Sequence, residues 1–435
     1  MIKTLFLITS LFFFFFSASA FAKELKVVEL IDLALTHRPE TKKSWWNAKR
    51  AAASLKLASS AYLPSANLST QFANGRDFKF LNGPNVDYTI AEADLTLTLL
   101  LYDFGERDAQ VEAAKMALTA ANWQTDWTMQ KVLVEVLTNT YTTLNSQEML
   151  RAAETALEDA HNMFEIAKQL NQAGLTPITD VYTSRSQLVQ AQMELIEKQN
   201  HLVIQKARLI SSLGLQAEET LAIAPITDCP QQKVSELNQL LTLAQQKRAD
   251  LLAKRARVAE MRALHLKTKR AYRPKLTLTT GAGANYAFKD QTNGGQYLIK
   301  LNFDVPLFDG FAHTYRNRLA YTDLKATIEE LAEAEINLSF EVFSYYSNLQ
   351  SLQKTLPLAE EGLKTSQLAY EGALKSYGAG KENIAVVSNA LLQLAAARNR
   401  FSDVKTRLLV AAANLAFSTG TLLPYLESSC ETTSS

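Results

Sequence analysis

The side chains best able to do chemistry are few, and their spacing does not assemble a catalytic set. Five histidines, His37, His161, His201, His265 and His313, are spread along the chain without metal-ligand spacing and read as exposed or packing residues on helices. Gly378, Ala379, Gly380 and Lys381 end like a phosphate-binding loop. They lack the first glycine of GxxxxGK and the Ser or Thr that follows the lysine, so no nucleotide site is expected. Gly281 and Gly283 lie in an alternating strand pattern and read as small residues in a wall of strands. Cys229 and Cys430 could form a disulfide or stand as two free thiols. The expectation is a protein that is not an enzyme and takes no cofactor or metal.

The elements that position these residues begin with an address. Lys3, an apolar run over residues 5–16 and the small-x-small Ala20, Phe21, Ala22 read as a signal peptide over 1–22, with Lys23 as the mature start. No cysteine follows the cleavage point, so a lipoprotein signal is not expected. Nothing later reaches 18 uninterrupted apolar residues, so any membrane entry must use strands. The balance of 45 basic against 44 acidic residues argues against a nucleic-acid partner. With 15 glycines and 10 prolines among abundant Ala, Leu, Gln, Glu and Lys, long helices should dominate.

The chain is duplicated. Arg38 matches Arg248, and Ala61, Tyr62 and Pro64 match Ala271, Tyr272 and Pro274, at an offset of 210. From Asp103 and Asp309 the offset is 206, carried through Glu135 and Glu341, Gly174 and Gly380, to Gly214 and Gly420. The units read as 23–220 and 236–423, with a linker over 221–235 and a tail over 424–435. Residues 28–35 and 237–244 should start equivalent helices. Each unit reads helix, hairpin, long helix, short helix. The first helix spans about 26–62. Strands are expected at about 64–74 and 88–102, then 274–288 and 296–308, with tips at 74–87 and 289–295. The long helix runs from about 106 to 171, roughly 100 Å at ~1.5 Å per residue. Gly174 should end it, and Thr176 and Pro177 should cap and open a return helix to about 213. Val132, Val136, Leu144, Leu150 and Leu157 read as its packing stripe.

Four strands cannot close in lipid, where the smallest barrels have about eight strands and open edges are not tolerated. If the hairpins enter a membrane, several chains must share one barrel. The fold class is mainly α with a transmembrane β-barrel contribution. A non-channel coiled-coil or adaptor protein of the envelope is the alternative.

The AYLP and AYRP turns, the LYDFGER and LFDGFAH segments, and AGLTPITDV and GAGKENIAVV at the helix tips resemble the TolC-type outer membrane efflux protein family over about residues 27–423. The resemblance implies a homotrimer with a 12-stranded barrel in outer membrane lipid and an α-helical barrel across the periplasm. It also implies an inner-membrane transporter and a periplasmic adaptor protein that grips the tips at Gly174, Leu175, Thr176, Gly378, Ala379 and Gly380. The expected role is the outer membrane channel of an efflux or type I secretion system. In the family two aspartates one turn apart form a cation-attracting ring at the periplasmic gate. Val386 and Asn389 stand at those positions here. Asp180 and Tyr377 match residues that help hold the tunnel shut, and the family's arginine in that network falls on Glu382. Within this architecture Cys229 and Cys430 each follow the end of a repeat. They fall in a belt around mid-wall, where they are either bonded or unpaired.

Overall fold

The computed structural model describes residues 26–77, 86–216 and 236–430. Helices α1 (Val27–His37) and α2 (Pro39–Ser59) lead to strands β1 (Ser65–Asp77) and β2 (Val86–Tyr102). Helices α3 (Glu106–Gln172) and α4 (Ile178–Ser212) complete the first unit. The second unit repeats the order: α5 (Leu237–Lys247), α6 (Ala249–Arg270), β3 (Lys275–Ala287), β4 (Thr292–Asp304), α7 (Ala312–Gly378) and α8 (Ile384–Ser418), before a short α9 (Leu422–Cys430). Both long helices have 67 residues and both return helices have 35.

Two sequence expectations are corrected. The first helix is interrupted at Arg38, whose ψ of 127° is extended, because Pro39 disfavours helical geometry in the residue before it. The second unit breaks at the equivalent Arg248, ψ 120°, with Ala249 in place of the proline. Strand β4 runs over Thr292–Asp304 instead of 296–308. Gly294 and Gly295 do not turn the chain but pair with Asn285 and Ala284. The turn falls on 288–291, and past Asp304 Pro306 has no N–H to donate to a ladder.

The markers that set the repeat register meet in space. Arg38 pairs with Glu135 at 2.7 Å and Arg248 with Glu341 at 2.6 Å. The second contact is an ion pair whose angle is poor for a hydrogen bond, since Arg248 Nη1 has no hydrogen-bond partner. Gly214 (φ +79°) brings its Cα against the backbone of Arg38, where an added Cβ would lie 2.9 Å from the Arg38 Cα. Gly420 (φ +71°) sits likewise against Lys247 and Arg248. Ala34, Val132 and Val136 form a buried cluster with Leu30, Leu209 and Leu213. Their equivalents Ala244, Leu338 and Val342 form another with Leu251.

Each strand-to-helix junction uses two successive left-handed residues, Phe104 and Gly105, then Gly310 and Phe311. An aspartate holds each bend. Asp103 accepts from Gly105 N at 3.1 Å and from Arg107 N at 2.7 Å, and Asp309 accepts from His313 N at 2.7 Å. These bonds satisfy N–H groups that a helix start leaves free.

The four strands form one antiparallel sheet in the order β1-β2-β3-β4. Its register puts Leu68, Leu95, Leu97, Leu99, Leu278, Tyr297, Ile299 and Leu301 on one face. Asn67, Ser69, Glu92, Asp94, Thr96, Thr279, Gln296 and Lys300 share the other. On the polar face Gln296 donates to Asp94 Oδ1 at 3.0 Å, over the space left by Gly283. The helices line up in the same sense: α2 and α4 beside α3, then α6 and α8, then α7. No helix among the described residues is long and apolar enough to cross a membrane.

Candidate functional site at the helix tips

The two return turns have one geometry. At the end of α3, Gly174 N donates to Asn171 O at 2.9 Å and Leu175 N to Leu170 O at 2.9 Å. At the end of α7, Gly380 N donates to Tyr377 O at 2.9 Å and Lys381 N to Ser376 O at 2.9 Å. This paired pattern terminates a helix through a left-handed residue, and both glycines have φ +72°. Gly378 is the last residue of α7 and Ala379 its cap. The N-cap of α4 is Pro177, not Thr176, whose hydroxyl makes no capping bond. Asn171 Nδ2 instead ties the turn by donating to Thr176 O at 2.7 Å. In the second unit Asn383 caps α8 by accepting from Ala385 N at 2.8 Å.

Behind these turns lies an apolar cluster drawn from four helices: Ala160, Met163 and Ala167 of α3, Leu188 of α4, Tyr370 and Tyr377 of α7, and Ile384, Val387, Leu391 and Leu394 of α8. Tyr377 is 1% exposed, and its hydroxyl donates to Asp180 Oδ2 at 3.1 Å. Burial pushes the Tyr377 phenol up to about 12, and the hydrogen bond and charge of Asp180 add to the rise. Asp180 lies in the first turn of α4, where a carboxylate also favours its own helix start.

The remaining expected positions separate. Glu382 is exposed in the turn and has no ion pair among the described residues. Val386 and Asn389, one turn apart, share the exposed face of α8, while Val387 and Ser388 turn inward. Cys229 lies outside the described residues, and so does the side chain of Cys430, so their pairing does too. No group of three or more His, Cys, Asp or Glu suited to a metal occurs among the described residues.

One clasp had not been expected from sequence. Arg398 of α8 donates to Asp159 Oδ2 at 2.8 Å, and Tyr370 OH donates to Asp159 O at 3.2 Å, joining α3, α7 and α8 above the tip. Its only trace in the sequence is a charge on the apolar stripe of Leu391 and Leu394.

A duplicated strand-hairpin and long-helix wall, apolar on one face of its sheet, defines an outer membrane channel subunit. The sequence profile described as "Outer membrane efflux protein" matches residues 30–215 and 240–421, and the chain belongs to that family, one of channels and not of enzymes. It is 28% identical over 407 residues to Protein CyaE of Bordetella pertussis, covering 91% of this chain and 85% of that one. It is 24% identical over 408 residues to the outer membrane protein TolC of Salmonella enteritidis, covering 91% and 82%. The solved structure of the outer-membrane channel OprN superposes with a TM-score of 0.83 at 17% identity, covering 91% of this chain and 90% of that chain. The protein is an outer membrane efflux or secretion channel that spans the periplasm. Channels of this family are trimeric and work with adaptor and pump partners.

Proposed function

We propose that three copies of this chain close head to tail into one duct, which receives substrate from an inner-membrane transporter through a periplasmic adaptor protein. The observation that carries this is the agreement of the two edges. The wall ends in β1 with α2 and α4 on one side and in β4 with α7 on the other. Both ends leave large apolar side chains exposed: Tyr182, Ile196 and Val203 on α4, and Leu319, Ile336 and Phe340 on α7. An open sheet edge in lipid must find a partner strand, and unlike edges close a ring. Three copies supply twelve strands. Residues 1–22 are read as the signal peptide, followed by repeats over 23–220 and 236–423 joined by a linker over 221–235.

In this reading the tips form the periplasmic gate. Tyr377 and Asp180 latch α7 to α4 in the closed state, and Glu382 adds no cation to hold it. Val386 and Asn389 give the mouth no carboxylate ring, so the focused negative potential there is weak. The turns at Gly174, Leu175, Thr176, Gly378, Ala379 and Gly380 are the adaptor's grip. Light scattering on detergent-purified protein tests the assembly. A mass of three chains is expected, and a stable monomer would overturn it.

A further inference from the structure

Residues 262–275, the end of α6 and the approach to β3, hold six lysines and arginines and no acid. Where this segment faces the start of α7, a cavity of about 520 Å³ opens, lined among others by His265, Lys269, Phe311, Tyr315, Arg318 and Tyr321. Three nearby cations are committed elsewhere. Lys275 pairs with Glu106 at 2.7 Å, Arg316 lies 4.0 Å from Asp309, and Arg270 donates to Gly105 O at 3.0 Å. Lys269 and Arg318 have no carboxylate partner among the described residues. We propose that this groove binds the phosphate of an anionic phospholipid headgroup in the periplasmic leaflet.

The duplication supplies an internal control. In the first copy the equivalent positions of α2 and α3 hold Leu55, Ser59, Ala109 and Glu112 in place of His265, Lys269, Tyr315 and Arg318. The scaffold is shared, so nothing in the architecture requires two cations and an aromatic rim in the second copy. An anion is held by the two cations, and the aromatic rim suits a membrane interface. The height also fits. The apolar face of β4 continues into Leu307, 88% exposed, and Phe308, and the aromatics Phe311, Tyr315 and Tyr321 follow within about 15 Å of the α7 start. An aromatic belt with cations just beyond it marks the headgroup level. In the ring proposed above, α7 meets α2 of the next copy. That helix carries Lys42, Lys43, Lys49, Arg50 and Lys56 against Glu40 alone, so it adds net positive charge beside the groove.

Native mass spectrometry of the delipidated mature protein in its assembled form, titrated with phosphatidylglycerol and with phosphatidylcholine, tests the site. Preferential retention of phosphatidylglycerol is expected, and Lys269→Gln with Arg318→Gln should weaken it roughly thirtyfold. Arg318→Lys, which keeps the charge, and Glu112→Gln, at the equivalent position of the first copy, should bind like the parent. If the double variant does not assemble, Lys269→Gln alone should show a loss of roughly fivefold. Equal binding of the two lipids, or unchanged binding by the variants, would overturn the proposal. Displacement of the lipid by millimolar inorganic phosphate would overturn the lipid assignment in favour of free phosphate at the same cations.

Discussion

Tyr377 and Asp180 lie 197 positions apart in sequence and 3.1 Å apart in space, the hydroxyl of the first donating to the carboxylate of the second. The bond joins the end of α7 to the first turn of α4, and so joins the two repeats at their tips. Removing it with Tyr377→Phe or Asp180→Ala should raise the ratio of open to closed channels by roughly two- to tenfold per bond lost. Single-channel recording in planar bilayers measures this directly, and an unchanged open fraction in both variants would remove the latch.

The same bond has a pH signature. Burial first, then Asp180, raises the Tyr377 phenol to about 12, above the ordinary tyrosine value near 10. A group whose folded-state value is raised contributes stability that is complete below the unfolded value and is lost as pH rises through the folded one. The latch should therefore be indifferent to pH between 5 and 9 and weaken from about pH 10 to 12. In alkaline melts the parent should lose more stability over that window than Tyr377→Phe. Equal losses would count against the assignment.

A carboxylate ring can be installed. Val386→Asp with Asn389→Asp places two acids one turn apart on the exposed face of α8, at the proposed mouth. The parent should show low cation selectivity and weak block by multivalent cations added from the periplasmic side, and the double variant should gain both. Strong block of the parent would contradict the reading.

Glycine substitutions should separate two kinds of left-handed turn. At Gly174 an added Cβ meets nothing within 4 Å, so Gly174→Ala carries only the conformational cost of about 1–2 kcal/mol. At Gly214 the same atom would lie 2.9 Å from the Arg38 Cα and 3.0 Å from the His37 carbonyl carbon, neither of which can move aside alone. Gly214→Ala should cost about 1–3 kcal/mol more. Thermal melts of the two variants decide it.

The belt of arginine clasps can be tested the same way. The Arg248 side chain is 7% exposed against 16% for Arg38. Glu341→Gln removes one of the two carboxylates on the more buried guanidinium, leaving Asp250 at 2.9 Å, and should cost about 1–2 kcal/mol, while Glu135→Gln should cost under about 1 kcal/mol. Ala34→Pro, in the fully buried part of α1 beside the first clasp, should cost roughly 3 kcal/mol. An unchanged melting profile for Ala34→Pro would contradict the helix.

Residues that recur at a fixed offset were readable from sequence because duplication preserves what a shared geometry requires. Arg38, Glu135 and Gly214 appeared as register marks, and in the fold they touch. The break at Arg248 was not readable, since Ala249 carries no local signal and the close approach of Gly420 to Lys247 and Arg248 is a tertiary contact. Gly294 and Gly295 misled in the other direction: glycine pairs suggest turns, but here they face the β3 residues Asn285 and Ala284. The Asp159 and Arg398 clasp spans 239 positions between unlike parts of the two repeats, so the duplication gave it no echo.

The equal lengths of the paired helices constrain how such a chain can change over generations. One residue inserted in α3 alone would displace everything beyond it by about 1.5 Å and rotate it by about 100°, carrying the Asp180 turn away from Tyr377. Only a matching insertion in α7, with α4 and α8 lengthened in step, would restore both tips to one plane. Length in this wall is therefore inherited as a pair. The hairpin tips are free of that rule: eight residues separate β1 from β2, four separate β3 from β4, and the two long helices still end level in sequence register.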